Sequence, residues 1–334
     1  MELRRQRLSA ALLDPREGFE RTEAELEVRW DPLTGHSARL VHGPGPLLPR
    51  SDVDLEEIGR RFAERCPFCA ERIEQMTPKL PPEVWPDGRI RRGRAVLFPN
   101  LLAYAAHSSV SVYAPELHFL PLGRMTPRLV ADNLATQVEF TKAVLRSDPE
   151  ARWASINANH MLPAGSSLFH PHLQGSVDPL PTTFQQLLVD APSERYGDYL
   201  EAERRAGERY LGSTGRVEWL ASFAPLAPGE LRAFLFGAAS PAELEDDLVE
   251  ELGHGVATAL GLYAELGFES FNMAIYGAPP GTEGYPLNLR LGCRSNLRPL
   301  YRSDATYLER LHWEAAADIS PEELAERAGE RFRR

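Results

Sequence analysis

The stretch Gly165-Ser166-Ser167-Leu168-Phe169-His170-Pro171-His172-Leu173-Gln174 decides how the rest of this 334-residue chain is read. Phe169 to Val177 has the pattern of a strand. On a strand, residues i and i+2 point to one face, so His170 and His172 are expected to project together. Pro171 between them has no N–H, which marks this strand end as an edge or a bulge. Two imidazoles on one face suit a metal, or one ligand beside one nucleophile. The plainer alternative is a pair of half-exposed histidines. The loop before them, Gly165-Ser166-Ser167, offers backbone N–H groups and hydroxyls that can cradle a phosphate beside His172.

Working outward, Thr126-Pro127 is a helix start, with the hydroxyl as N-cap and Pro in the first turn. Apolar residues then recur at Leu129, Val130, Leu134, Val138 and Val144, near a period of 3.6, to about Ser147. Arg152 to Asn157 is strand-like. The second half repeats the order, with a helix from Ser240-Pro241 to about Leu266, a strand Ser270 to Tyr276, a loop at Pro279-Pro280-Gly281 and a strand Leu287 to Leu291. Thr126 and Ser240 are 114 apart, Gly165 and Gly281 are 116 apart, and at the second offset His172 meets Asn288. A duplicated helix–strand–loop–strand unit is expected, with histidines in the first copy only.

The first 25 residues look helical and charged. Leu26 to Trp30 and His36 to Val41 alternate on either side of Asp31-Pro32-Leu33-Thr34-Gly35, a hairpin. A Pro/Gly-rich link from His42 to Arg50 leads to a short amphipathic helix, Asp54 to Arg65. Residues 77–93 read as loop, with strands at Arg94 to Phe98 and Ser108 to Tyr113. Thr183 to Leu211 reads as one long charged helical stretch, followed by strands at Arg216 to Phe223 and Leu231 to Phe236.

Between the short helix and the loop stands Cys66-Pro67-Phe68-Cys69. Two thiolates at this spacing can chelate zinc but fill only half of a tetrahedral shell, so histidines must complete it, and His118 and His170 are the candidates. A redox dithiol is the competing reading, but such motifs usually follow the first strand of a small βαβ unit. Arg89, Arg91, Arg92 and Arg94 could meet substrate phosphates, though a solvated hairpin accounts for them too. Three cysteines make no disulfide framework. The net charge is −11, from 37 Lys+Arg against 48 Asp+Glu, and repels polyanions, so no nucleic acid is expected as partner. No apolar run reaches 18 residues, Val256 to Phe268 being broken by Glu265, and the apolar part of Met1 to Pro15 is too short for a secretory signal. No membrane span and a cytoplasmic setting are expected.

Four blocks in order, Cys66-Pro67-Phe68-Cys69, Phe98-Pro99-Asn100, Ala114-Pro115-Glu116-Leu117-His118 and the Gly165–Gln174 stretch, resemble the galactose-1-phosphate uridylyltransferases of the histidine-triad superfamily. The Trp30–Gly35 turn and the tail Ser320–Arg327 are similar to elements of the same family. The resemblance implies an α+β fold of two fused triad-like halves, an antiparallel sheet with helices outside, with the first half at 1–211 and a degenerate second half at 212–334. It implies structural Zn2+ on Cys66, Cys69, His118 and His170, and His172 as nucleophile on the α-phosphorus of a nucleoside diphosphate sugar. Gln174 and Ser167 would serve the phosphate oxygens, with Gly165 and Ser166 in the same loop. Asn159 would stand in the loop entering the site, and Asn100 would contact the base. The product nucleotidyl-histidine would pass its nucleotide to a phosphorylated acceptor, in a homodimer.

The departures from that pattern are Leu101 in place of an acidic ribose contact, Leu168-Phe169 before His170, Asn288-Leu289-Arg290 in place of the second half's H-x-H, and Ala316 in place of a hexose-reading Gln. They weaken the galactose assignment and leave nucleotidyl transfer standing. A phosphorylase or hydrolase of the same superfamily, or a zinc-stabilised nucleotide-binding protein without activity, are the alternatives.

Overall fold

The computed structural model describes residues 1–41, 53–299 and 303–333; the expected link His42 to Arg50 lies outside the described residues. The chain opens with a two-stranded ribbon, β1 (Arg5–Asp14) and β2 (Glu20–Trp30), paired antiparallel from Arg5↔Arg29 to Asp14↔Glu20. The first 25 residues are therefore strand and not helix. Asp14-Pro15 starts a tight turn and Gly18, at φ +66°, reverses the chain there. The charges that suggested a helix sit along a ribbon whose faces are largely in water. β3 (Ser37–Val41) completes the expected hairpin with β2.

Then come α1 (Leu55–Ala63), the single turn α2 (Ile73–Met76), and strands β4 (Ile90–Arg92), β5 (Ala95–Pro99) and β6 (His107–Val112). Helix α3 (Pro127–Ser147) is capped by the Thr126 side chain, as expected, and leads to β7 (Trp153–His160) and β8 (His172–Asp178). The stretch read as one helix is broken by Pro192 into α4 (Thr183–Asp190) and α5 (Ser193–Ala206), and β9 (Tyr210–Thr214) follows. The second half runs β10 (Val217–Ala221), β11 (Leu231–Leu235), α6 (Asp246–Glu265), β12 (Ser270–Tyr276) and β13 (Leu287–Arg294). Ser240 caps a separate 3-10 turn, Pro241–Glu243, so α6 starts later than the Ser-Pro signal implied. The tail is α7 (Tyr307–Leu311), β14 (Ala315–Ala317) and α8 (Pro321–Ala328).

Ten strands form one antiparallel sheet in the order β4-β5-β6-β8-β7-β12-β13-β11-β10-β9, and β1-β2-β3-β14 form a second. β7 and β12 join the two copies of the repeat at the middle of the large sheet. Asn157 pairs with Gln174, and Ala274 pairs with Arg290. The offset that carries Gln174 to Arg290 (116) is thus matched by 117 from Asn157 to Ala274, close to the spacing in the sequence. The architecture is the expected α+β arrangement, with helices packed on a large antiparallel sheet.

Helices α3 and α6 cover one face and bury Leu134, Val138, Val256 and Leu260 against Ile156, Leu173, Met273 and Leu291. The approach of α3 is close: a Cβ on Gly175 would lie 2.1 Å from Gln137 Oε1, which accepts from Ser109 Oγ at 2.9 Å. Only glycine admits this packing, and it fixes β8 relative to α3. Over the second half, the other face is sealed by α4, α5 and the 31–34 turn, with Leu188, Tyr196, Tyr199 and Leu33 packed on Leu220 and Phe234. Over the first half Ile73 and Phe68 cover Val96, Phe98, Val110 and Val112, and the face stays open beside them, over His172 and Gln174.

Candidate active site and metal centre

Each loop in this region is held by backbone bonds. Ala70 N donates to Pro115 O at 3.0 Å, which ties the Cys66–Cys69 turn to the segment carrying His118. Tyr113 N donates to Pro171 O, so the end of β6 positions the His170–His172 segment. β8 begins at His172, after the proline, and lies between β6 and β7. The expected edge or bulge is therefore not found: a proline before the first strand residue costs the ladder no donor. For the same reason His170 and His172 do not share a strand face.

His170 is fully buried and turns to the cysteines. Its Nδ1 lies 3.7 Å from Cys66 Sγ and 3.8 Å from Cys69 Sγ, and His118 Nδ1 lies 3.3 Å from Cys69 Sγ. One ligand atom from each of the four residues falls within 4.8 Å of the others. Bonds of roughly 2.3 Å to sulfur and roughly 2.0 Å to nitrogen set tetrahedral neighbours about 3.5 Å apart, so the spacing fits zinc. The outer hydrogen bond fits as well. His170 Nε2–H donates to Ala114 O at 3.0 Å, which leaves the Nδ1 lone pair toward the thiols. The four residues could hold a metal ion.

His172 goes the other way, onto the open face. Its Nδ1 lies 2.8 Å from His170 O. A carbonyl oxygen only accepts, so Nδ1 carries the proton and Nε2 keeps a free lone pair. Phe68 stands edge-on to His172, with ring centroids 5.5 Å apart, and lies between it and the four-residue Cys/His cluster. The cleft above, about 220 Å³, is lined by His172, Gln174, Ser167, Asn100, Phe98 and Tyr104 among others. Gln174 follows His172 on the same strand face. Asn100 Oδ1 accepts from Leu102 N at 3.1 Å, which leaves its Nδ2 donors free.

Other expected residues lie elsewhere. Asn159 is on β7 rather than in a loop, and its Oδ1 accepts from Asn272 Nδ2 at 2.7 Å. Ser166 is buried, and its hydroxyl closes a turn onto Leu168 O at 2.7 Å. Gly165 reverses the chain at φ +91°. None of these three lines the cleft. The four arginines do not line it either: Arg89 is buried on Ile73 O, Pro78 O and Thr77 O, while Arg91, Arg92 and Arg94 pair with Glu74, Glu139 and Glu116. Residues the sequence reading missed include Phe68, hidden inside the C-x-x-C, and Leu102 and Tyr104, exposed apolar groups on the rim. Phe68 was legible as the aromatic between the two cysteines; the rim had no pattern to announce it.

The second half answers this site with a closed one. Asn288 and Arg290 occupy the positions of His172 and Gln174, and both are buried. Arg290 donates to Asp31 Oδ2 at 2.8 Å and to Glu230 Oε1 at 2.6 Å. Arg232 donates to the same Asp31 oxygen at 2.8 Å.

No family model matches this chain. An uncharacterized protein of Archaeoglobus fulgidus is 29% identical over 316 residues, 91% of either chain. An ADP-glucose phosphorylase from Arabidopsis thaliana, solved with ADP-glucose bound, superposes with a TM-score of 0.67 at 16% identity, over 91% of this chain and 98% of that one. A uridylyltransferase superposes at 0.62 with 19% identity, over 92% and 98%. At these identities the likeness is one of fold. The fold is the one these two enzymes share, in line with the resemblance carried by the four sequence blocks.

Proposed function

We propose that this chain is a nucleotidyltransferase that takes a nucleoside monophosphate from a nucleoside diphosphate sugar and passes it, through a covalent adduct on His172, to a phosphorylated acceptor. The observation that carries this is the hydrogen bond from His172 Nδ1–H to His170 O, which leaves a bare Nε2 at the floor of a cleft. A neutral imidazole held in this tautomer is a nucleophile near neutral pH. Nε2 attacks the α-phosphorus, the bond from phosphorus to the bridging oxygen breaks, and the sugar phosphate leaves with the electron pair. A phosphate oxygen of the acceptor then attacks the same phosphorus and returns the pair to Nε2. Gln174 and Ser167, which line the cleft beside His172, would donate to the phosphoryl oxygens as charge builds on them. The free Nδ2 of Asn100 would meet a base acceptor.

A zinc ion on Cys66, Cys69, His118 and His170 would have all four positions taken by protein, the arrangement of a structural site. Its part would be to fix the segment whose carbonyl, His170 O, orients His172.

A phosphorylase reading, with inorganic phosphate as acceptor, is favoured by one observation. Among the described residues, no charged side chain lines the cleft, and beyond the four polar ones assigned to the donor only Thr77, already bonded to Ile73 O, and Tyr104 on the rim carry a polar group. Little is left to read a second sugar.

The test is intact-mass spectrometry after mixing with UDP-, ADP- or GDP-sugars. One donor should add the mass of its nucleoside monophosphate to the native chain and nothing to His172→Ala, with metal content unchanged. Turnover by His172→Ala, or no adduct with any donor, would sink the covalent mechanism. Discharge of the adduct by inorganic phosphate as fast as by a sugar phosphate would select the phosphorylase.

A further inference from the structure

A larger cavity lies on the opposite side of the sheet from His172. Side chains alternate along β7, so His160 shares the face of Ile156 and Ala158, which pack beneath α3 and α6. The cavity measures about 440 Å³ and opens between the start of α1, the segment that follows His118 and the C-terminal end of α6. That size falls in the range of small-molecule sites. Leu55, Phe119, Leu122, Ala264 and Phe268 form its walls.

Two polar side chains on this cavity carry atoms with no hydrogen-bond partner among the described residues. His160 is 6% exposed and stacks on Phe271 at 5.1 Å between ring centroids, and its ring nitrogens make no hydrogen bond to the described residues. Glu269 Oε2 is buried and unbonded as well. Leaving such a group unsatisfied is costly, so folded proteins keep them mainly where something else supplies the bond. The charge around the cavity has one sign. Asp54 and Glu56 stand on its lining beside Glu269, and among the described residues no lysine or arginine does. Asp54 is already used, accepting from Glu57 N at 3.0 Å to cap α1, which leaves Glu269 as the open acceptor.

We propose that this cavity is a binding site for a small organic cation, an apolar body that carries a primary or secondary ammonium group. Phe119 and Phe268 take the body, and their ring faces favour positive charge. The ammonium donates to Glu269 Oε2 and to the unprotonated ring nitrogen of His160. An anion finds no counter-charge there, and a plain hydrocarbon leaves both polar groups unsatisfied. The site is distinct from the one proposed around His172, which lies on the other face of the sheet, although the two imidazoles are near enough to act on each other electrostatically.

The experiment is calorimetric titration of the full chain, near neutral pH, with three probes of matched size: benzylamine, benzyl alcohol and benzoate. Benzylamine is expected to bind about tenfold or more tightly than either of the others, and Glu269→Gln to weaken it by a similar factor, the loss of one charged hydrogen bond. Gly123→Leu tests the location. Its Cβ would meet only Ala264 Cβ, at 3.4 Å, so the side chain enters the cavity, and binding of every probe should disappear. Equal binding of benzyl alcohol would overturn the preference for a cation. No binding by any probe, or benzylamine binding that survives Gly123→Leu, would overturn the site. Should Glu269→Gln fail to fold, the three probes still decide the charge and Gly123→Leu the place.

Discussion

Asp31→Ala should cost about 3–5 kcal/mol of folding stability, the penalty for leaving a buried charge without its partner. The figure comes from the charges that meet behind the second half of the sheet. Arg232 and Arg290, 0% and 4% exposed, both donate to Asp31 Oδ2 at 2.8 Å. Glu230 Oε1 receives the other arm of Arg290 at 2.6 Å. Two guanidinium groups and two carboxylates make a neutral cluster, and removing Asp31 leaves one positive charge over. Asn288 Oδ1, 3.3 Å from Arg232, is a weak substitute. The turn would also lose the bonds from Leu33 N and Thr34 N to Asp31 Oδ1, worth about 1 kcal/mol each. Domains are stable by only about 5–15 kcal/mol, so the effect is large enough to read in a urea titration followed by tryptophan fluorescence. Arg232→Met supplies the control. Added to Asp31→Ala it restores neutrality, so the double variant should lose less than the sum of the singles by about 2 kcal/mol. A cost below about 1 kcal/mol for Asp31→Ala, or strictly additive losses, would show that the cluster is not electrostatically coupled.

Two further outcomes follow from the same structure. Purified chain should carry about one zinc ion, read by plasma mass spectrometry, and Cys69→Ser should lose it and unfold at lower temperature; stoichiometric metal in Cys69→Ser would refute the assigned ligand set. His36, buried with Nε2–H on Ala224 O at 3.0 Å, is held neutral by burial, which pulls its pKa from 6.5 to about 4. The unfolded chain takes up that proton first, so stability should fall by about 3 kcal/mol as the pH drops from 6.5 toward 4, and His36→Gln should remove that part of the slope. Urea midpoints across this range check it, and an unchanged slope in the variant would refute it.

Much of the site was legible because its chemistry is carried by short local blocks. The Cys66–Cys69 spacing and the His170–His172 run each announce their donor types, and Thr126-Pro127 fixes where α3 begins. What needed the structure was direction. Pro171 sits just ahead of β8, which turns His170 to the thiols and His172 to the cleft, and period-2 reasoning put them on one face. Ser166 and Asn159 are the right residue types, but their groups are used inside the fold, on Leu168 and Asn272. The N-terminal ribbon was misread because its polar faces hide the alternation, although Asp14-Pro15 and Gly18 gave the turn. The cluster of Asp31, Glu230, Arg232 and Arg290 draws on positions up to 259 residues apart, and no local pattern could assemble it.

The duplicated frame gives a reason why the proposed chemistry is assigned to one half only. The same register places Gln174 and Arg290 at equivalent points on β8 and β13, yet the protein uses those points in opposite ways. Over Gln174 the sheet face is open, and the side chain is free to work on a substrate. Over Arg290, α4, α5 and the Asp31 turn close the face, and a cation there persists only because Asp31 and Glu230 neutralise it. Equivalent substitutions should therefore separate function from stability. Gln174→Ala should leave the urea midpoint within the range of a surface change, about 0.5 kcal/mol, and slow nucleotidyl transfer. Arg290→Gln leaves buried Glu230 without its ion-pair partner, while Asp31 keeps Arg232, and should cost about 3–5 kcal/mol. Any loss of transfer in Arg290→Gln should track the unfolded fraction. Equal destabilisation by the two substitutions would mean that the open face is part of the packed core. A transfer rate that falls in fully folded Arg290→Gln would mean that the sealed half reaches the substrate after all.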